Sequence, residues 1–156
     1  MKIAIIYSTK IKATKKTSEL LSNKINSETK LIAIEQAKTD CLLKYNYVIL
    51  VVSIINGKVQ GAIKRYISKN LKTLTEKPKA LILICEDCEN TEKKYNKAFS
   101  ESLVNTSLLK STVEIEFEKD NSFKNYKKKD KAIRILDLKK IDKIANNINK
   151  IIDNRI

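Results

Sequence analysis

Short apolar runs alternate along this chain with longer segments in which apolar residues return every third or fourth position. Ile3–Tyr7 reads as a strand, and Thr14–Ile25 as a helix with Thr17, Leu20, Leu21 and Ile25 on one face. Leu31–Ile34 is a short strand, followed by a connection through Cys41, Leu42 and Leu43. Tyr47–Val52 (YVILVV) is apolar throughout, the pattern of a strand covered on both faces. Val59–Leu74 places Val59, Ile63, Tyr66, Ile67, Leu71 and Leu74 in helical phase. Pro78 precedes a second buried strand, Ala80–Ile84. Glu92–Leu103 is helical by its spacing of Tyr95, Phe99 and Leu103, and Thr112–Phe117 alternates as a strand. A lysine-rich connection follows, with Asp120–Lys131 its segment of lowest expected order. Leu138, Ile141, Ile144, Ala145, Ile148 and Ile151 then mark a last helix with Asp137 as N-cap. Five strands alternating with helices predict an open, mostly parallel α/β sheet. Such sheets bind ligands beyond the carboxyl ends of their strands, which singles out the loops 8–14, 53–58 and 85–91.

Length and composition narrow the reading. At 156 residues the chain is expected to form a single domain, residues 1–156. No stretch approaches the ~18 apolar residues of a membrane span, and the strand-like start is too short for a signal peptide. A cytoplasmic protein is expected. The net charge of +14 invites a polyanion partner. Only three of the 32 basic residues are arginine, however, and Gly, Pro and Trp nearly vanish. Lysine, isoleucine and asparagine share AT-rich codons, so genomic drift accounts for much of the skew. Nucleic-acid sites favour arginine forks and stacking aromatics, and no nucleic-acid partner is expected. The absence of histidine removes His-based nucleophile systems, His general bases and His-ligated metals. Three cysteines suggest a reducing compartment without a disulfide framework.

Each loop offers a chemistry and a plainer alternative. In the first, Ser8, Thr9 and Thr14 supply hydroxyls, and the N–H groups of a strand-to-helix turn favour an anion such as a monoester phosphate. No Walker pattern is present. Lys12 stands where a glycine would supply positive φ, a left-handed residue costing about 1–2 kcal/mol. The alternative is an ordinary turn with solvated lysines. In the second, both glycines of the chain, Gly57 and Gly61, follow the buried strand. Asn56-Gly57 is a turn signal whose backbone groups suit the polar edge of a planar ring, or simply a tight turn. In the third, Cys85-x-x-Cys88 has the spacing of a redox or zinc pair. Zinc lacks further ligands, with Cys41 the one spare thiol, and Glu86, Asp87 and Glu89 disfavour a thiolate. Cys85 then ends the strand as a small hydrophobe, and Cys88 lies in a ligand-facing loop.

The ordered set of segments "IIYSTKIKATKKTSELLSNKI", "YNYVILVVSIINGKVQGAIKRYI", "KPKALILICED" and "YNKAFSESL", with a weaker match at "DLKKIDKIANNI", resembles the flavodoxin-like family. The similarity is strongest to the branch of menaquinone-dependent protoporphyrinogen IX dehydrogenase and its flavodoxin-domain relatives. It implies a three-layer sandwich around a five-stranded parallel sheet of order 2-1-3-4-5, and one FMN. Carried over by position, Ser8, Thr9, Lys10, Lys12, Ala13 and Thr14 would form the phosphate loop. Ser53, Ile54, Ile55, Asn56, Gly57 and Lys58 would line one side of the isoalloxazine, and Cys85, Glu86, Asp87, Cys88 and Asn90 the other. This chain departs from the family at Lys12, where glycine is general, at Asn56, where an aromatic often covers the flavin, and at Ser111-Thr112, where the branch has a glycine pair. The resemblance implies an FMN-dependent oxidoreductase passing electrons to a redox partner or quinone. The Asn125–Lys131 run is a candidate contact with anionic membrane. The alternative is a flavodoxin-fold protein that has lost FMN and binds another anion or a protein partner.

Overall fold

The computed structural model describes residues 1–37, 42–117 and 133–155. The readings placed on Cys41, on Asp120–Lys131 and on Asn125–Lys131 within it lie outside the described residues. The strands are β1 (Lys2–Tyr7), β2 (Glu28–Ala33), β3 (Tyr47–Ile55), β4 (Lys58–Val59), β5 (Lys79–Cys85), β6 (Leu109–Phe117) and β7 (Ile133–Leu136). The helices are α1 (Lys12–Lys24), α2 (Gly61–Lys69), α3 (Leu71–Glu76), α4 (Thr91–Ala98), α5 (Glu101–Thr106) and α6 (Leu138–Asp153). The sheet runs β2-β1-β3-β5-β6-β7. Its five parallel strands follow the expected order 2-1-3-4-5. The structure corrects the strand count with two antiparallel additions, β4 folding back on β3 and β7 on the edge of β6.

Alternation within the strands divides the core in two. Ile3, Ile5, Tyr47, Ile49, Ala80, Ile82, Val113 and Ile115 face one layer, built by Leu21 of α1 and Ile141, Ile144 and Ile148 of α6. Ala4, Ile6, Val48, Leu50, Leu81 and Leu83 face the other, built by Ile63 and Ile67 of α2, Leu74 of α3, Tyr95 of α4 and Leu103 of α5. All nine residues of β3 are buried, as a strand covered on both faces must be. A Lys24–Asp142 ion pair of 2.6 Å and the Asn149 side chain, which bridges Asn26 N–H and Lys24 C=O, tie α1 to α6. Asp137 caps α6 as expected, its carboxylate accepting from Lys140 N–H at 3.0 Å.

Two helices predicted as continuous are broken. At Asn70 the side chain donates to Tyr66 C=O at 2.9 Å, and the backbone leaves the helix at φ −110°, ψ 14°. A side chain that satisfies the i−4 carbonyl competes with the helix at that point. Phe99 is extended at φ −126°, ψ 152° and stays buried in the core, so α4 ends and α5 restarts from Ser100. Both breaks keep the apolar residues on the sheet. No described helix is long and apolar enough to cross a membrane.

Candidate functional site

β2 and β3 lie on opposite sides of β1, so successive connections leave β1 in opposite directions. The crevice at the carboxyl ends of β1 and β3 is therefore the switch point of the sheet. β1 stops at Tyr7, opposite Val51, while β3 runs four residues further. The first loop thus lies below an overhang formed by the end of β3 and its hairpin to β4.

In the first loop, Ile11 is 5% exposed and sits at the N-cap of α1. It anchors the turn in the core but offers no side-chain cap, and the first turn of α1 holds no acidic residue. The helix N-terminus therefore favours an anion, with about half a positive charge from the aligned peptides. Thr9, Lys10, Lys12, Lys15 and Lys16 stand exposed around it. Lys12 is the first residue of α1 and has no left-handed backbone; positive φ among the described residues is confined to Asn56, Gly57 and Asn90. The strain expected from the absent glycine does not arise, because the turn closes through Thr14 instead. The Thr14 hydroxyl is fully buried and donates to Ser8 C=O and Ile11 C=O, at 2.7 and 2.6 Å, while Thr14 N–H donates to Ile11 C=O. Ala13 is buried beside it. Ser8 is 4% exposed and its hydroxyl donates to the Gln60 side-chain carbonyl. Of the three loop hydroxyls, only Thr9 is exposed.

The second loop is a two-residue hairpin. Asn56 at φ 52° and Gly57 at φ 68° turn the chain so that Ile55 pairs with Lys58 and Ile54 with Val59. Positive φ at both central positions is the geometry that matches the twist of the flanking strands and selects Asn-Gly. Asn56, Gly57 and Lys58 are exposed, whereas Ser53, Ile54 and Ile55 are buried. Lys97 of α4 donates to Gly57 C=O and so holds the hairpin from the third loop's helix.

The third loop begins at Cys85, paired with Ile54 of β3 and Glu114 of β6. Cys85 and Cys88 are joined as a disulfide, with Cα atoms 5.7 Å apart. This corrects the expectation that no disulfide forms: the turn between them brings two cysteines to bonding distance, which spacing alone leaves open. Asp87 accepts from Glu89 N–H at 2.9 Å and lies 3.9 Å from Lys94. Asn90 takes the left-handed conformation at φ 51° and starts α4. Glu86 and Cys88 are half-buried, and Asp87 and Asn90 exposed.

All the expected site positions therefore gather at one end of the sheet. Gln60 and Lys97, which tie the loops together, escaped the sequence reading because each lies beyond the turn it supports. Lys15 and Lys16 escaped it because on a helix they read as a solvated face.

A family model described as a flavodoxin domain matches residues 4–114. The chain belongs to the flavodoxin-domain family. Solved flavodoxins share its fold over nearly its whole length. Flavodoxin 2 of Bacillus cereus is 17% identical, with a TM-score of 0.65 over 96% of this chain and 99% of that one. A flavodoxin from the domain Archaea is 16% identical, with a TM-score of 0.62 over 98% and 99%. The flavodoxin of Fusobacterium nucleatum, solved bound to flavin mononucleotide, is 16% identical with a TM-score of 0.55 over 96% and 97%. No curated protein sequence matches the chain.

Proposed function

We propose that this protein binds FMN at the carboxyl end of its sheet and works as a flavodoxin-like redox protein. The observation that carries the reading is the uncapped, lysine-ringed N-terminus of α1 at the switch point, beneath the hairpin that Ser8–Gln60 and Lys97–Gly57 contacts hold in place. Membership of the flavodoxin-domain family supports it, as does the FMN bound by the Fusobacterium protein of the same fold.

The residues present fit such a group. A phosphate would take the backbone N–H groups that no side chain caps at the start of α1, the Thr9 hydroxyl, and the charges of Lys10 and Lys12. Thr14, Ser8 and Ala13 shape that loop from within. Asn56, Gly57 and Lys58 would meet one side of the ring, with Ser53, Ile54 and Ile55 supporting them from the sheet. Cys85, Glu86, Asp87, Cys88 and Asn90 would meet the other. Bound there, FMN supplies reversible electron transfer. Lys58 would favour an anionic reduced ring by charge, and the buried end of β3 would exclude water. No side chain is assigned as an acid or base.

The finer reading is an oxidoreductase that passes electrons to a quinone, as the protoporphyrinogen dehydrogenase branch does. The net charge of +14 supports it. A carrier docking on basic partners needs an acidic surface, whereas a basic chain suits the edge of an anionic membrane. Anaerobically reduced holoprotein should then be reoxidised by a menaquinone analogue, faster on anionic vesicles at low salt.

The test of the primary reading is direct. Purified protein should be yellow, or quench the fluorescence of added FMN. Colourless protein with no quenching at tens of micromolar FMN would overturn it and favour a flavodoxin-fold protein that binds another anion or a protein partner.

A further inference from the structure

We infer that the Cys85–Cys88 disulfide is a second redox centre, one that exchanges two electrons with the flavin held by the same loops; this rests on the FMN reading above. Two separate contacts hold the disulfide loop against the hairpin. Cys85 is the cross-strand partner of Ile54, two residues before Asn56. From the far side of the loop, α4 sends Lys97 back to Gly57 C=O. The bridged loop and the hairpin are therefore direct neighbours at the carboxyl end of the sheet.

A structural role accounts poorly for the bridge. Its ends are three residues apart in a segment already fixed by other bonds. Cys85 sits in the sheet, Asp87 closes a turn onto Glu89 N–H, and the Thr91 hydroxyl donates to Cys88 C=O at 3.0 Å. Cross-linking stabilises least when the closed loop is short. The two sulfurs also differ in access, since Cys85 is 1% exposed while Cys88 is half-buried at the surface of the loop. One reachable sulfur and one sheltered one is the arrangement of an exchanging pair.

In the forward step the disulfide would accept two electrons and one proton from the anionic reduced flavin, and a second proton from water. The S–S bond breaks, one S–H forms on each cysteine, and the flavin is left oxidised. No other reactant is needed. Glu86, Asp87 and Glu89 act on this balance, because their charge opposes a thiolate.

The experiment counts thiols. Air-oxidised protein is loaded with FMN, uptake is verified by fluorescence, and the flavin is photoreduced anaerobically with EDTA as the sacrificial electron donor. The sample is unfolded in denaturant with iodoacetamide, and the alkylated cysteines are located by mass spectrometry. Before light, only Cys41 should carry the label; after light, all three cysteines should. FMN-free protein given the same light should still show Cys41 alone, and Cys88→Ser should bleach with fewer electrons per flavin than the wild type. Three overturning results are distinguishable from failure of the FMN reading: a bleached flavin with only Cys41 labelled, the same labelling in FMN-free protein, or all three cysteines labelled before light. Absence of FMN uptake, seen before illumination, would remove both readings together.

Discussion

At the amino end of the sheet, Lys79 is fully buried and its ammonium donates to the carbonyls of Thr75, Lys77 and Thr106 at 3.2, 3.0 and 3.3 Å. These carbonyls lie at the ends of α3 and α5, so one cation serves two helix C-termini. At the carboxyl end, Lys10, Lys12, Lys15 and Lys16 stand exposed among the described residues around a helix whose N-cap residue, Ile11, offers no side-chain cap. The same residue type closes one end of the sheet on itself and, on the function proposed above, receives an anion at the other. A count of lysines shows neither role; the backbone groups that each lysine meets decide it.

The largest expected effect breaks the closed end. Lys79→Met leaves three carbonyls without their donor and should cost roughly 2–4 kcal/mol. That corresponds to a fall in Tm of about 5–15 °C by calorimetry for a chain of this size. FMN uptake at 25 °C should be unchanged. A Tm within error of wild type would show that Lys79 is not what closes that end.

The converse experiment acts on the open end. Lys10→Glu with Lys12→Glu puts negative charge at the start of α1 and should weaken FMN binding by about 10- to 100-fold, with Tm nearly unchanged. Fluorescence titration measures it, and unchanged affinity would place the anion elsewhere. Gly57→Ala is smaller. The new Cβ would meet nothing closer than Lys97 Nζ at 3.8 Å, so the cost is that of the left-handed backbone, about 1–2 kcal/mol. Weaker FMN binding should accompany it, read in the same titration.

Alkaline pH sharpens the closed end further. Burial pushes the Lys79 ammonium below its usual range, so the unfolded chain binds more protons and stability rises as pH approaches 10.5. Burial pushes the Tyr47 hydroxyl up to about 12, against the opposing charge of Arg155. Between pH 10 and about 12 the folded chain keeps a proton that the unfolded chain loses, so stability falls there. Burial raises Tyr95 in the same direction. The Tyr47 hydroxyl has no hydrogen-bond partner among the described residues, so Tyr47→Phe should leave stability at pH 7 unchanged and flatten the alkaline fall in urea melts. An equally steep fall would assign it to other groups.

The open end was largely legible in the sequence, and the closed end was not. Apolar runs at Tyr47–Val52 and Ala80–Ile84 located the central strands, and Asn56-Gly57 located the hairpin, because periodicity and turn chemistry are local. β4 was missed because two residues carry no period, and β7 because a four-residue run after a lysine-rich stretch has no turn signal to bound it. The breaks at Asn70 and Phe99 depend on packing against the sheet. The inward turn of the Ser8 and Thr14 hydroxyls depends on partners up to 52 residues away. Lys79 reads in sequence as one more charged residue beside Pro78, and only the convergence of two helix ends makes it a buried cap.

If the open end holds a flavin phosphate, riboflavin, which lacks that phosphate, should bind far more weakly than FMN. In parallel titrations at low salt, FMN should bind at least about 100-fold more tightly than riboflavin, with a preference that shrinks as salt screens the lysines. Equal affinity for the two, or no binding of either, would contradict the account.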